Sequence, residues 1–413
     1  EYTFVRDAQN RPVNIAQVKQ RKDNGSFATT TFSYCSAAEA AAADSTCPDI
    51  RLVKQIDGPL TDVTDITTAT YYGTTDISDC ALTTGNCFHR GDRKSITNAA
   101  GHVVDFLRYD AAGRATKIRD ANGVIADLTY HARGWLTQQA VRGADPNPAI
   151  TTDDQITSFE RDARGNLTKV TSPDNNYIDL FYDDRDRMTE VRDQAGKREI
   201  YTYDSNRNRQ TVNAYVGVGN NATNRRRLQS YAVDLLDRVV QIQGSTVDKL
   251  TIFGYDAAGR QVSATDPNSV QTTRVYDDMD RLLTVVGDSA SGGIRATTRM
   301  TYDAVGNVRT VIDPKNLTTT YTFDALGRLT QQISPDSGTS SFTYDDAGNR
   351  LTATDARQIT TTSTYDVLNR VTTVVYPTAA ENVAYVYDTT NTVCLPDESF
   401  VLGRLRRMTD QSG

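Results

Sequence analysis

A fixed 21-residue period with turn residues at constant offsets constrains this chain more than any other feature, because it demands a repeat architecture. Between Thr301 and Val371, Asp303, Asp324, Asp345 and Asp366 stand 21 residues apart, each after an aromatic residue: Tyr302, Phe323, Tyr344 and Tyr365. Three residues after each aspartate comes Gly306, Gly327, Gly348 or Asn369, and then Asn307, Arg328, Asn349 or Arg370. A second turn lies inside the period, as in Asp313-Pro-Lys-Asn316 and Pro335-Asp-Ser-Gly338. Asp120-Ala-Asn-Gly123, Asp193-Gln-Ala-Gly196 and Asp266-Pro-Asn-Ser269 repeat it earlier in the chain. Two turns per period leave two strands of roughly 6–7 residues, about 20 Å each. In Thr318–Phe323 the two aromatics share one face and threonines take the other. Each repeat is therefore predicted to be a β-hairpin. Aspartate at the turn start accepts backbone amides, and Gly or Asn supplies the positive φ that ends the turn.

The same frame runs back through Asp110 (after Tyr109, before Gly113), His131, Asp162, Asp183, Asp204, Asp234, Asp256 (after Tyr255, before Gly259) and Asp277, and forward to Asp388. Steps are 21 or 22 residues except three of 31, 30 and 26. Those coincide with Gly-, Pro-, Asn- and Ser-rich stretches starting at Gly143, Val216 and Gly287, as expected of turns that have grown. Three regions follow. Residues 1–18 hold a degenerate partial repeat, with Phe4, Asp7, Asn10, Arg11 and Val13 at repeat-like offsets. Residues 19–97 form an irregular insertion, and residues 98–413 form the array. Within the insertion, Ser36–Asp44 predicts a short helix, since Ser36 is a good cap and alanine carries the least helix penalty.

A lone hairpin is unstable in water, so neighbours are expected to pair edge to edge. The predicted fold is all-β: tandem antiparallel hairpins forming one twisted, spiralling strip, shell or barrel. Propeller blades need four strands, about 40 residues, and no doubling of the period to that length occurs. A parallel β-helix has no need of two sharp reversals per coil.

Composition fits half-buried strands: 38% hydrophobic residues, with 21 Tyr against 11 Phe. A net charge of −7 and a pI near 5.2 argue against nucleic acid as an electrostatic partner. No apolar run reaches the roughly 18–20 residues of a membrane span, and no signal peptide is visible. The opening EYTFVRD already reads as the second half of a repeat, so the sequence is expected to be a piece or processed product of something longer. Four of the five cysteines lie between Cys35 and Cys87. In an oxidising compartment Cys35 would pair with Cys47 and Cys80 with Cys87, leaving Cys394 single, although sequence alone leaves the connectivity open.

The recurring aromatic-Asp-x-x-Gly-Arg/Asn core resembles the YD repeats of RHS-repeat proteins. It stands as YDAAGR at Tyr109 and Tyr255, YDAVGNV at Tyr302, FDALGRLT at Phe323 and YDDAGNRLT at Tyr344, with related copies over residues 98–393. The resemblance implies a hairpin strip wound into a large hollow shell. In bacterial members, insecticidal toxin complexes among them, such a shell encloses a C-terminal toxin; in teneurins a related barrel belongs to an adhesion receptor. This sequence departs from the toxin pattern, having no recognisable core-associated segment with a self-cleavage motif and no toxin domain.

Ordinary turn chemistry accounts for most residues that resemble sites. The regular Tyr-Asp pairs are a structural alphabet rather than catalytic carboxylates. Asp183-Asp184-Arg185-Asp186 and Asp277-Asp278-Met279-Asp280 offer calcium-type oxygens but lack the spacing of a calcium loop. Cys80, Cys87 and His89 lack a fourth zinc ligand. Arg90-Gly91-Asp92 is an integrin-type tripeptide in a loop, and Asn24, Asn166, Asn221 and Asn316 begin glycosylation sequons. The three histidines, His89, His102 and His131, suggest no nucleophile–base pair. No catalysis, cofactor or metal is expected. The expected protein is a secreted or cell-surface, bacterial scaffold, part of a shell enclosing a toxin or effector. The alternative is a head-to-tail structural or adhesive fibre, because joining the end to the beginning spaces Asp410 and Asp7 by 10 residues against 9 or 11 within the array. Its expected partners are further YD repeats, copies of itself, or an enclosed toxin.

Overall fold

The computed structural model describes residues 1–6, 12–80, 85–143, 153–217, 223–245, 249–388 and 402–410. Asp7, Asn10, Arg11, Asn221 and Cys394 lie outside them. Among the described residues the fold is all-β as predicted apart from two short helical turns, with 32 strands in one sheet. In each pairing described, the partners are consecutive in sequence and antiparallel, from Tyr2–Arg6 with Pro12–Arg21 to Val383–Tyr387 with Leu405–Thr409. None of these pairings joins the first strand to the last, so the ladder is not closed into a barrel.

Turn chemistry sets the hairpins. At Asp303 the turn closes through Asp303 N–H to the Asn307 carbonyl at 2.9 Å and Gly306 N–H to the Asp303 carbonyl at 3.2 Å. Gly306 sits at φ 99°. This is a type I turn followed by a left-handed residue that forms a one-residue bulge. The bulge appears as a register shift between Thr301 and Tyr302, leaving Tyr302 opposite Val308. Asn369 holds the same position at φ 62°, as do Asp186, Asp237 and Asp280 at φ 60–63°, the short polar residues that best tolerate this conformation. The second turn is closed in the same way: Asp313 N–H bonds the Leu317 carbonyl at 2.9 Å, with Asn316 at φ 62°.

Few of the described side chains are fully covered. Buried apolar residues such as Ala28, Tyr71, Tyr109, Ala140 and Val212 are scattered. Cohesion therefore rests on the backbone ladder and on cross-strand pairs. Threonines supply many of these pairs: Thr301–Thr310 and Thr343–Thr352 hydroxyls meet at 2.6 Å, and Thr202–Thr211 at 2.8 Å.

The stretch 19–97, set apart by its sequence, carries the ladder onward. Phe27–Tyr34, Val53–Asp57, Ile66–Tyr71 and Arg93–Thr97 pair in succession and then with Val103–Tyr109. Among the described residues of this stretch, the longer interruptions of the strands are 35–52, 58–65, 72–80 and 85–92. The expected helix forms over Ala37–Ala41, shorter than Ser36–Asp44, because Ala42 is already extended at ψ 142°. Ser36 caps it through a reciprocal box with Glu39. Cys35–Cys47 and Cys80–Cys87 are bridged, with Cα separations of 5.3 and 4.8 Å.

Two compact units divide the chain. One comprises Thr129–Ala140 and Asp154–Thr320; the other comprises Glu1–Leu128, Val141–Asp153 and Tyr321–Gly413. Within the second, early turns meet late ones. Lys22 pairs with Asp346 at 2.9 Å, Asp23 accepts from Ala325 N–H at 2.7 Å, and Asn122 exchanges two hydrogen bonds with the Leu402 backbone. His102 lies 3.4 Å from Asp388, a carboxylate also held by Arg370.

Candidate functional site

The aspartate of the motif organises its own turn and then the next hairpin. In Asp183, Oδ1 accepts the backbone N–H groups of Arg185 and Arg187 at 2.9 and 3.0 Å, while Oδ2 accepts Arg187 Nε at 2.7 Å. Asp110 with Arg114, Asp256 with Arg260, Asp324 with Arg328 and Asp366 with Arg370 repeat the arrangement at 2.6–2.7 Å. The Arg187 hydrogen bond, assisted by the turn amides, holds the Asp183 carboxyl down at about 2. At Asp256 desolvation pushes upward, and the bonds from Arg260 outweigh it, leaving the carboxyl below its ordinary range.

Most of the guanidinium groups fixed in this way reach one repeat further. Arg187 Nη1 donates to the Asp204 carbonyl at 3.0 Å, Arg260 to Asp277 at 2.7 Å and Arg328 to Asp345 at 2.5 Å. The same groups lie over the next aromatic ring: Arg187 over Tyr203 and Arg238 over Tyr255 at 4.8 Å, Arg328 over Tyr344 at 5.0 Å. The tyrosine hydroxyl then donates back to the carbonyl just after that arginine. Tyr203 bonds Met188 at 2.6 Å, Tyr255 bonds Val239 at 2.7 Å and Tyr344 bonds Leu329 at 2.8 Å. Aspartate, arginine and the following tyrosine thus form a staple between successive hairpins.

Asparagine in place of arginine gives a second form. Asn166, Asn208 and Asn349 bond their own aspartates, then reach Asp186, Asp237 and Asn369 at 2.6–2.8 Å. Those three partners are the left-handed residues of the next turn. The non-glycine choice there has a contact to make.

The remaining anchors vary this plan. Tyr302 bonds the Leu282 carbonyl at 2.7 Å, Tyr365 that of Arg350 at 2.9 Å and Tyr109 that of Arg93 at 2.6 Å. Asp303 and Asp345 hold Asn307 and Asn349. Phe323 offers a ring without a hydroxyl. Gly113, Gly259, Gly327 and Gly348 all have positive φ. His131 keeps the turn through a different acceptor: its Nδ1 takes Arg133 N–H at 3.1 Å, and its ring stacks on Trp135 at 5.1 Å.

The other candidates are placed as follows. Asp183 and Asp277 both serve turn amides and a guanidinium. Among the described residues no cluster of three metal-binding side chains converges. Arg90 is exposed yet engaged, donating to the carbonyls of Ala40, Pro48 and Gly73, while Asp92 accepts the His89 N–H. Sequence reasoning passed over Arg108, which is 9% exposed and donates to the carbonyls of Asp79 and Gly85, closing the loop that holds Cys80 and Cys87. It also passed over the staple, whose signal was present: Arg187–Tyr203, Arg260–Tyr276 and Arg328–Tyr344 are each 16 residues apart.

The geometry defines a tandem β-hairpin repeat scaffold held by inter-repeat staples. The chain carries RHS repeats: the RHS Repeat model matches residues 89–125, 109–145, 234–292, 302–339 and 344–381. No curated protein matches its sequence. Among solved structures it is similar to TcdB2-TccC3-TEV, at a TM-score of 0.54 and 14% identity over 94% of this chain and 25% of that one. Similarity to TcdB2-TccC3-Cdc42 reaches a TM-score of 0.50 and 15% identity over 87% of this chain and 21% of that one. The fold is shared, and this chain spans about a quarter of the length of those chains. Among the described residues no helix is long and apolar enough to cross a membrane.

Proposed function

We propose that this chain is a non-catalytic section of wall in a hollow protein shell, exported or surface-exposed in a bacterium, with a toxin or other effector as cargo. One observation carries the reading: an antiparallel ladder whose consecutive hairpins are stapled to one another side by side, an arrangement suited to covering area. The likeness in fold to the TcdB2-TccC3 structures and the RHS repeats support it. Tyr109, Asp110, Tyr255, Asp256 and their equivalents are then wall joints. Cys35–Cys47 and Cys80–Cys87 secure the two irregular loops against an oxidising exterior.

The test is electron microscopy of the protein expressed with its full native gene, combined with protease protection. The expected result is a closed hollow particle whose interior polypeptide resists protease until the shell is opened. Filaments that lengthen with concentration would support the fibre reading instead and reject this one.

A further inference from the structure

One charged row on the sheet lies outside the staple system. Asp179 stands opposite Arg192, Arg192 opposite Arg198, Arg198 opposite Tyr215, and Tyr215 opposite Arg225. Directly paired residues share a face, so these side chains line up across five consecutive strands. Arg192 is accounted for: it sits 3.7 Å from both Asp179 and Glu190 and lies over Phe181. Arg198 is not. Among the described residues its guanidinium has no ion pair and lies over the Tyr215 ring, 5.9 Å from its centroid, and its Nε is buried without a hydrogen-bond partner. Arg225 is exposed, without an ion pair among the described residues, and it sits at a bulge whose extra residue is Arg226.

Between residues 192 and 227 eight Lys and Arg stand against three Asp and Glu, in a chain whose net charge is −7. Placing Arg198 directly opposite Arg192 costs stability, and so does a buried cationic donor left unmade. The ladder does not require either cost: at corresponding pairs Thr265 faces Gln271 and Thr354 faces Thr360. A feature that works against the fold and faces one way marks a site awaiting a ligand.

We propose that Arg198 and Arg225, with the Tyr215 ring between them, bind an oxyanion, a carboxylate or phosphate group carried by a ligand. The two arginines are two strands apart, about 9–10 Å between backbones, so their flexible side chains can converge above the ring from either side. The planar guanidinium suits two-point bonding to such a group, and the Nε of Arg198 is one of the donors it would satisfy.

Isothermal titration of the whole chain with inorganic phosphate, and separately with a glutamate-rich peptide, tests the site. Binding of phosphate identifies a free anion as sufficient; binding of the peptide alone identifies a polypeptide carboxylate as the source. In either case Arg198→Gln and Arg225→Gln should each weaken affinity roughly tenfold or more. Arg357→Gln, which alters an exposed arginine paired with Asp355, should leave affinity unchanged. Arg198→Gln should also keep or raise the melting temperature, since it removes a like-charge contact. The proposal fails if neither probe binds, if affinity survives both substitutions, or if Arg198→Gln lowers the melting temperature and so marks Arg198 as structural.

Discussion

A single aspartate in this chain does three jobs: it shapes a turn, clamps an arginine and so positions a contact to the next hairpin. Asp324 shows this with two turn amides and Arg328 Nε at 2.6 Å. Asp324→Ala should cost on the order of 2 kcal/mol in urea unfolding, since two amides and a guanidinium lose their acceptor together. Tyr255→Phe removes only the hydroxyl bond to Val239 and should cost about 1 kcal/mol in the same measurement. The carboxyls also set the acid limit. Asp183 is held at about 2, below its ordinary value near 4, so its contribution is present above about pH 4 and is lost as pH falls towards 2. Far-UV circular dichroism should therefore stay constant down to about pH 4 and then decline, and Asp183→Asn should flatten that decline.

At the scale of the element, each hairpin is a turn type written in sequence. Aspartate at the first position and Gly or Asn at the fourth were legible because φ/ψ preference and side-chain-to-amide bonding are local, whereas Asp at the fourth position, as at Asp186, emerged only from the backbone. The Trp135 hairpin shows what was not legible. Gly165, at φ 103°, lies so close to Trp135 that an added Cβ would come within 2.6 Å of the ring, which its sequence position in another repeat does not announce. Gly165→Ala should displace the ring, lower the melting temperature by several degrees and shift the emission of this single tryptophan. The 72–92 loop is the other case. It is pinned by Cys80–Cys87, by Arg108 and by Tyr72 stacked on Phe88 at 3.9 Å. Reduction should open this loop to protease with little change in strand content, because the ladder does not depend on the bridge.

The whole molecule is a ladder with a neighbour-to-neighbour energy, so its repeats are expected to unfold less cooperatively than a globular core of equal length. Sequence by itself determined the period, the hairpins, the turn residues and the all-β class, since all of these follow from alternation and backbone preference within about 20 residues. Tertiary structure alone decided that 19–97 continues the ladder, that the ladder is not closed, and that Arg192, Arg198, Tyr215 and Arg225 share one row. The reason is physical: those facts depend on strand register and on bulges, where one extra residue changes the face a side chain occupies.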